Sequence, residues 1–148
     1  MHDLVTITSG YFNPLHVGHL DYFKAAKKLG DFHVVIVNND KQIALKGGLP
    51  CMPELERMEI IEELQCVNQA WLSIDETRIV GETLKLIAKS IQAKKIIFIN
   101  SGDRPPETLN PDEVKACKVS NIEMKFIPLP KRNASSEIRK LINQEPKE

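Results

Sequence analysis

Two stretches of this chain are apolar without a break: Val34-Val35-Ile36-Val37 and Ile96-Ile97-Phe98-Ile99. A strand with one wet face alternates apolar and polar side chains. An unbroken apolar run belongs to a strand covered on both faces, as in parallel sheets flanked by helices. These runs place strands over residues 33–37 and 95–99, and the same reading finds three more at 4–8, 70–74 and 123–128. Helical patterns lie between them. Residues 17–29 carry Leu20, Phe23, Ala26 and Leu29 on one face, with Gly30 as a stop. A second helix starts at Pro53 and carries Arg57 beside Met58, Ile60, Ile61 and Leu64. Others cover 79–90, begin with a cap at Asn110-Pro111-Asp112-Glu113, and close the chain over 135–142.

This alternation predicts an α/β fold: a Rossmann-like, doubly wound parallel five-stranded sheet in a single domain over residues 1–143, with a disordered tail at 144–148. Ligands of such sheets bind beyond the carboxyl ends of the strands, where the strand order reverses. The segments 9–19, 38–48, 100–104 and 128–136 all fall at strand carboxyl ends, so they are expected to form one site. Residues 41–52, with Gly47-Gly48 and Pro50, read as a mobile loop with room for a short turn of helix.

With 42% apolar residues in 148, a core can form. Twenty basic and twenty acidic residues cancel, which argues against nucleic acid as a partner. No apolar run is long enough to span a bilayer, so no membrane partner is expected, and a chain that opens almost directly on a strand predicts no signal peptide. Cys51, Cys66 and Cys117 are odd in number and widely spaced, as expected of reduced thiols in a cytoplasmic protein.

The first strand runs into Thr8-Ser9-Gly10-Tyr11-Phe12-Asn13-Pro14-Leu15-His16-Val17-Gly18-His19-Leu20. Gly10 lets the chain turn. His16 and His19, three apart, share one face of the first helical turn, with Gly18 leaving the backbone open between them. Free N–H groups and the positive end of the helix dipole point the same way, a natural seat for phosphate. A histidine pair at this spacing also occurs on plain surfaces and in cores. Zinc would need a third ligand, and none lies nearby in sequence.

The pattern Gly-x-Phe-x-Pro-x-His-x-Gly-His resembles the signature of the cytidylyltransferase-like nucleotidyltransferases. In them the two histidines bind the triphosphate, and position 13 is often Asp where this chain has Asn13. The likeness spans nearly the whole chain. Asn38-Asn39-Asp40 and Lys46-Gly47 look like the glycerol-3-phosphate cytidylyltransferases, and at least as much like the adenylyltransferase domain of bacterial heptose synthesis. Glu56-Arg57-Met58 resembles their arginine-bearing helix, Ser101-Gly102-Asp103 their Gly-Asp element, and Ser135-Ser136-x-Ile138-Arg139 their C-terminal Ser/Thr motif. The cytidylyltransferases place Arg-Thr-Glu-Gly-Ile before that motif; here Leu129, Pro130, Lys131, Arg132 and Asn133 stand there, without the base-contacting arginine.

The resemblance implies nucleotidyl transfer from CTP, or from ATP, to a small phosphorylated acceptor, with pyrophosphate released and Mg2+ on the phosphates. It implies catalytic roles for His16, His19, Lys46 and Arg57, and nucleotide contacts at Gly10, Tyr11, Phe12, Gly18, Gly102, Asp103, Ser135 and Ser136. Arg104, Lys131 and Arg132 are candidates to line the acceptor crevice. No protein residues are expected to form a metal site, and a homodimer is expected. Each residue also has a plainer reading. Lys46 reads as well as a solvated loop cation, Arg57 as a partner of helix glutamates, Ser135 and Ser136 as an N-cap, Asp103 as a turn cap, and Tyr11 and Phe12 as packing. The alternatives are adenylyl transfer to a sugar phosphate or mononucleotide, and a non-catalytic nucleotide sensor. A P-loop enzyme is excluded because Gly-x-x-x-x-Gly-Lys-Ser/Thr is absent, and a class I synthetase because no room remains for tRNA-binding domains.

Overall fold

The computed structural model describes residues 1–102, 105–130 and 135–143, with backbone alone at 106 and 136. Its sheet is five-stranded and wholly parallel: β1 (His2–Gly10), β2 (Phe32–Val37), β3 (Gln69–Leu72), β4 (Ala93–Ser101) and β5 (Ile122–Ile127), in the order β3-β2-β1-β4-β5. The chain winds outward from β1 to β3, then returns to the other side of β1, so strand order reverses between β1 and β4. The helices are α1 (Val17–Leu29), α2 (Asp40–Leu45), α3 (Glu54–Glu62), α4 (Gly81–Ser90), α5 (Pro111–Val119) and α6 (Ser135–Ile142). The doubly wound α/β expectation holds.

The unbroken apolar runs have the expected cause. Val34, Ile36, Ile96 and Phe98 face one side of the sheet and pack against Leu84 and Ile87 of α4 and Cys117 of α5. Their neighbours Val35 and Val37 face the other side, against Phe23 of α1 and Ile61 of α3, while Ile97 and Ile99 pack on Ala26. Polar side chains buried under α1 are satisfied: the Thr6 hydroxyl donates to Ala26 O at 3.0 Å, and Thr8 Oγ1 meets His33 Nε2 at 2.9 Å.

Two local readings change. The short turn of helix allowed for within 41–52 is a full element, α2, starting at Asp40 and ending at Leu45. Asn39 Oδ1 accepts from Gln42 N at 2.9 Å, and Gln42 Oε1 accepts from Asn39 N at 3.0 Å, a reciprocal capping box. The third strand stops at Leu72 instead of reaching 74. Asp75 instead folds back on α4, its carboxylate accepting from Glu82 N at 2.8 Å, Thr83 N at 3.0 Å and the Thr83 hydroxyl at 2.6 Å. The three cysteines are free, and burial with the nearby Glu113 charge pushes the Cys117 thiol up to about 12. Among the described residues no helix is long and apolar enough to cross a membrane.

Candidate active site

The turn from β1 to α1 is shaped by one ring. Phe12 is buried and adopts φ 50°, a left-handed conformation unusual for a side-chain-bearing residue. Its ring folds back so far that a Cβ on Gly10 would stand 2.7 Å from it, so glycine at position 10 is a steric requirement. The ring meets His19 edge-on at 4.9 Å between centroids and Phe23 at 5.2 Å. Phe12 is thus the floor under the histidine pair.

His16 is the N-cap of α1, and its Nδ1 accepts from Gly18 N at 3.0 Å. His19 Nδ1 accepts from His16 N at 3.1 Å, so the two rings close a capping box with their centroids 3.9 Å apart. A backbone N–H can only donate, so both Nδ1 atoms are acceptors. Each neutral ring therefore carries its proton on Nε2. Burial lowers the His16 pKa. Burial and the His16 charge together lower that of His19 to about 3. At neutral pH the pair offers two uncharged N–H donors fixed by the helix cap.

Around them lies a cleft of about 660 Å³ over the carboxyl ends of β1, β2 and β4, at the point of reversal. Gly10, Tyr11, Phe12, Gly18, Lys46, Gly102 and Ser135 all line it with the histidines. Lys46 closes α2, with Nζ 4.4 Å from the centre of the Tyr11 ring. Gly102 follows β4 at φ 66°, with nothing within 4 Å of where a Cβ would stand. The Ser135 hydroxyl donates to Pro14 O at 2.8 Å and Arg139 Nη1 donates to Asn13 O, so α6 is fastened to the histidine turn from its first and last turns.

The geometry invites comparison with known proteins. The model of the cytidylyltransferase-like family matches residues 7–141. This chain belongs to that family. It is 36% identical over 107 residues to the bifunctional protein HldE of Syntrophotalea carbinolica, covering 71% of this chain and 20% of that one. A FAD synthase of Thermoplasma volcanium is 41% identical over 66 residues, covering 45% of this chain and 46% of the relative. The lipopolysaccharide core biosynthesis protein from Thermoplasma volcanium GSS1 superposes with a TM-score of 0.66 at 28% identity, covering 90% of this chain and 100% of that one. The chain therefore spans about a fifth of the HldE relative's length.

Within this cytidylyltransferase-like cleft one expected residue is placed elsewhere. Arg57 was expected in a catalytic role, with pairing to helix glutamates as the plainer reading, but its side chain is 1% exposed and lies beneath the site. Its Nε donates to Met52 O at 3.1 Å, Nη1 to Tyr11 O and Asn38 O at 2.7 Å each, and Nη2 to the Asp40 carboxylate at 2.7 Å. It ties the carboxyl ends of β1 and β2 to the segment before α3. Asp103, Arg104, Lys131, Arg132 and Asn133 lie outside the described residues, as do the Ser136 side chain and the 144–148 tail.

The cleft also holds residues that the sequence reading did not assign to it. Arg78 and Arg139 line it, as do Asn110 and Glu113, whose carboxylate accepts from Val80 N at 3.1 Å. Arg139 stood inside the Ser/Thr motif and was legible there. Arg78 had no signal of its own. Among the described residues no group of three or more His, Cys, Asp or Glu side chains is placed to hold a metal.

Proposed function

We propose that this cleft transfers a nucleotidyl group from a nucleoside triphosphate to a small phosphorylated acceptor. A phosphate oxygen of the acceptor attacks the α-phosphorus. The bond from that phosphorus to the oxygen bridging to the β-phosphorus breaks, and pyrophosphate leaves with the electron pair. The acceptor phosphate, with a second pKa of about 6, is already ionised, so no general base is needed. The observation that carries this reading is the histidine pair: two neutral Nε2–H donors, locked by the helix cap, at the crevice of a parallel sheet. Donors fixed before the reaction stabilise charge on the phosphoryl oxygens without reorganising. Lys46 adds a cation on the same wall, and the backbone N–H groups at the start of α6 serve the outer phosphates. With the Ser135 hydroxyl hydrogen given to Pro14 O, the backbone carries that contact. Magnesium bound to the phosphates would neutralise part of their charge.

ATP is the favoured donor. The sequence alone leans towards CTP, but the arginine expected for cytosine is missing from positions 129–133. A FAD synthase, whose product carries an adenylyl group, stands among the relatives. Arg78 and Lys46 favour an anionic acceptor such as a sugar phosphate. The test is a matrix of ATP and CTP against sugar phosphates, polyol phosphates and mononucleotides, read as pyrophosphate released. ATP-dependent release with one acceptor class is the expected result. Release with CTP alone overturns the donor assignment. No release, together with no binding of either nucleotide by calorimetry, overturns the enzymatic reading.

A further inference from the structure

Asn13 is 4% exposed, and its amide is spent on one short segment. Its Nδ2 donates to Leu49 O at 3.0 Å, and its Oδ1 accepts from Cys51 N at 2.5 Å. Both partners are backbone groups, so their roles are fixed: a carbonyl only accepts and an N–H only donates. The position therefore calls for one donor and one acceptor on a short planar group. An amide has both; an ionised carboxylate has no donor.

The segment held in this way follows Lys46. Gly47, at φ 92°, has nothing within 4 Å of where a Cβ would stand, Leu49 is 83% exposed and Cys51 is exposed too. Packing thus contributes little to its placement. Among the described hydrogen bonds, Gly48 N reaches back to Ile43 O, Met52 O accepts from Arg57, and residues 49–51 meet the body of the protein through Asn13. The Asn13 carbonyl in turn accepts from Arg139 of α6.

We propose that Asn13 is a positioning residue that seats the 47–52 segment before any substrate arrives, so that the chain leaving Lys46 is a preset support of the cleft wall and not a lid awaiting nucleotide. This rests on reading the cleft as a triphosphate site. Asn13→Asp supplies a distinctive test. Ionised, its carboxylate faces the Leu49 carbonyl without a donor, and the segment is released.

The experiment measures amide-exchange protection factors without nucleotide, and the Kd of ATP with magnesium, at pH 8. The proteins are the wild type, Asn13→Asp and Asn13→Ala. The wild type is expected to protect the Cys51 amide. Asn13→Ala is expected to lose that protection and to bind ATP about tenfold more weakly, in line with two lost hydrogen bonds. Asn13→Asp, its carboxylate ionised, should match Asn13→Ala. Core amides of β1 and β4, read in the same samples, report whether each variant is folded. An unprotected Cys51 amide in the wild type overturns the proposal. So does Asn13→Asp behaving as wild type. If no protein binds ATP, the nucleotide reading fails, and the exchange pattern still decides the role of Asn13.

Discussion

His33 and the His16–His19 pair lie on opposite sides of one local boundary, the sheet core below the histidine turn and the turn itself. Burial lowers the pKa of all three, His33 to about 4 and His19 to about 3. The shift therefore does not tell structure from function. Hydrogen-bond bookkeeping does. His33 Nδ1 lies 2.7 Å from Cys66 O, which only accepts, so the proton is on Nδ1 and Nε2 accepts from the Thr8 hydroxyl. Both nitrogens are spent inside the protein. In His16 and His19 the described hydrogen bonds use Nδ1 alone, which leaves Nε2–H for a ligand. Where the fold consumes every polar atom, the residue holds the fold; where it fixes one atom and leaves the other, it presents that atom.

The largest effect that can break this contrast is on turnover. His16→Ala or His19→Ala should slow pyrophosphate release by at least about a hundredfold, as expected for losing a preorganised donor. The pair is not free of structural duty. Each substitution also removes a cap bond, worth about 1 kcal/mol, so the melting temperature should fall modestly. A variant that keeps most of its turnover would remove the functional half of the comparison.

Arginines repeat the contrast. All the described contacts of Arg57 are internal, so Arg57→Ala should act first on stability. It strands three carbonyls and the Asp40 carboxylate. Breaking a buried pair costs about 3–5 kcal/mol, and the lower end applies because Asp40 is still 35% exposed. Chemical denaturation measures this. Unchanged stability with lost turnover would return Arg57 to the phosphates.

His33 gives a smaller, pH-dependent effect. Its folded pKa of about 4 lies below the ordinary 6.5, so the unfolded chain binds more protons than the folded one between these values. The stability held above pH 6.5 is therefore lost as pH falls towards 4. His33→Gln should cost about 1–2 kcal/mol at pH 7 and flatten that acid slope, while turnover per folded molecule stays near wild type. The His19 shift adds a slope of the same sign, so some acid sensitivity should remain.

Much of this fold was legible because its signals are local: unbroken apolar runs, the Gly30 stop and the Asn110-Pro111 cap. The α2 helix was legible only as a short turn, because Gly47-Gly48 and Pro50 close behind Asn39-x-x-Gln42 are loop signals. What could not be read was where long side chains end. Arg57 sits on an exposed-looking helix in sequence, yet the carbonyls of Tyr11, Asn38 and Met52 that draw it inward come from distant segments. Hydrogen-bond partners far apart in the chain have no periodicity to betray them.

Arg78 is the hardest case of this kind, and the smallest expected effect. Its surroundings are built by Gln42, fully buried on α2, whose Nε2 donates to Thr77 O at 2.7 Å and Ile79 O at 2.9 Å. These are the carbonyls on either side of Arg78, so α2 bolts down the backbone that carries it, and the same helix ends in Lys46. Arg78 itself is exposed at the cleft and takes part in no ion pair among the described residues. If it meets the acceptor, Arg78→Ala should raise the acceptor KM about tenfold and leave kcat, the Kd for ATP and the melting temperature near wild type. Arg78→Lys should recover part of the loss, since charge survives but the fork does not. A weaker Kd for ATP with an unchanged acceptor KM would move Arg78 to the triphosphate. It would also make the Gln42 clamp a support of the donor side of the cleft.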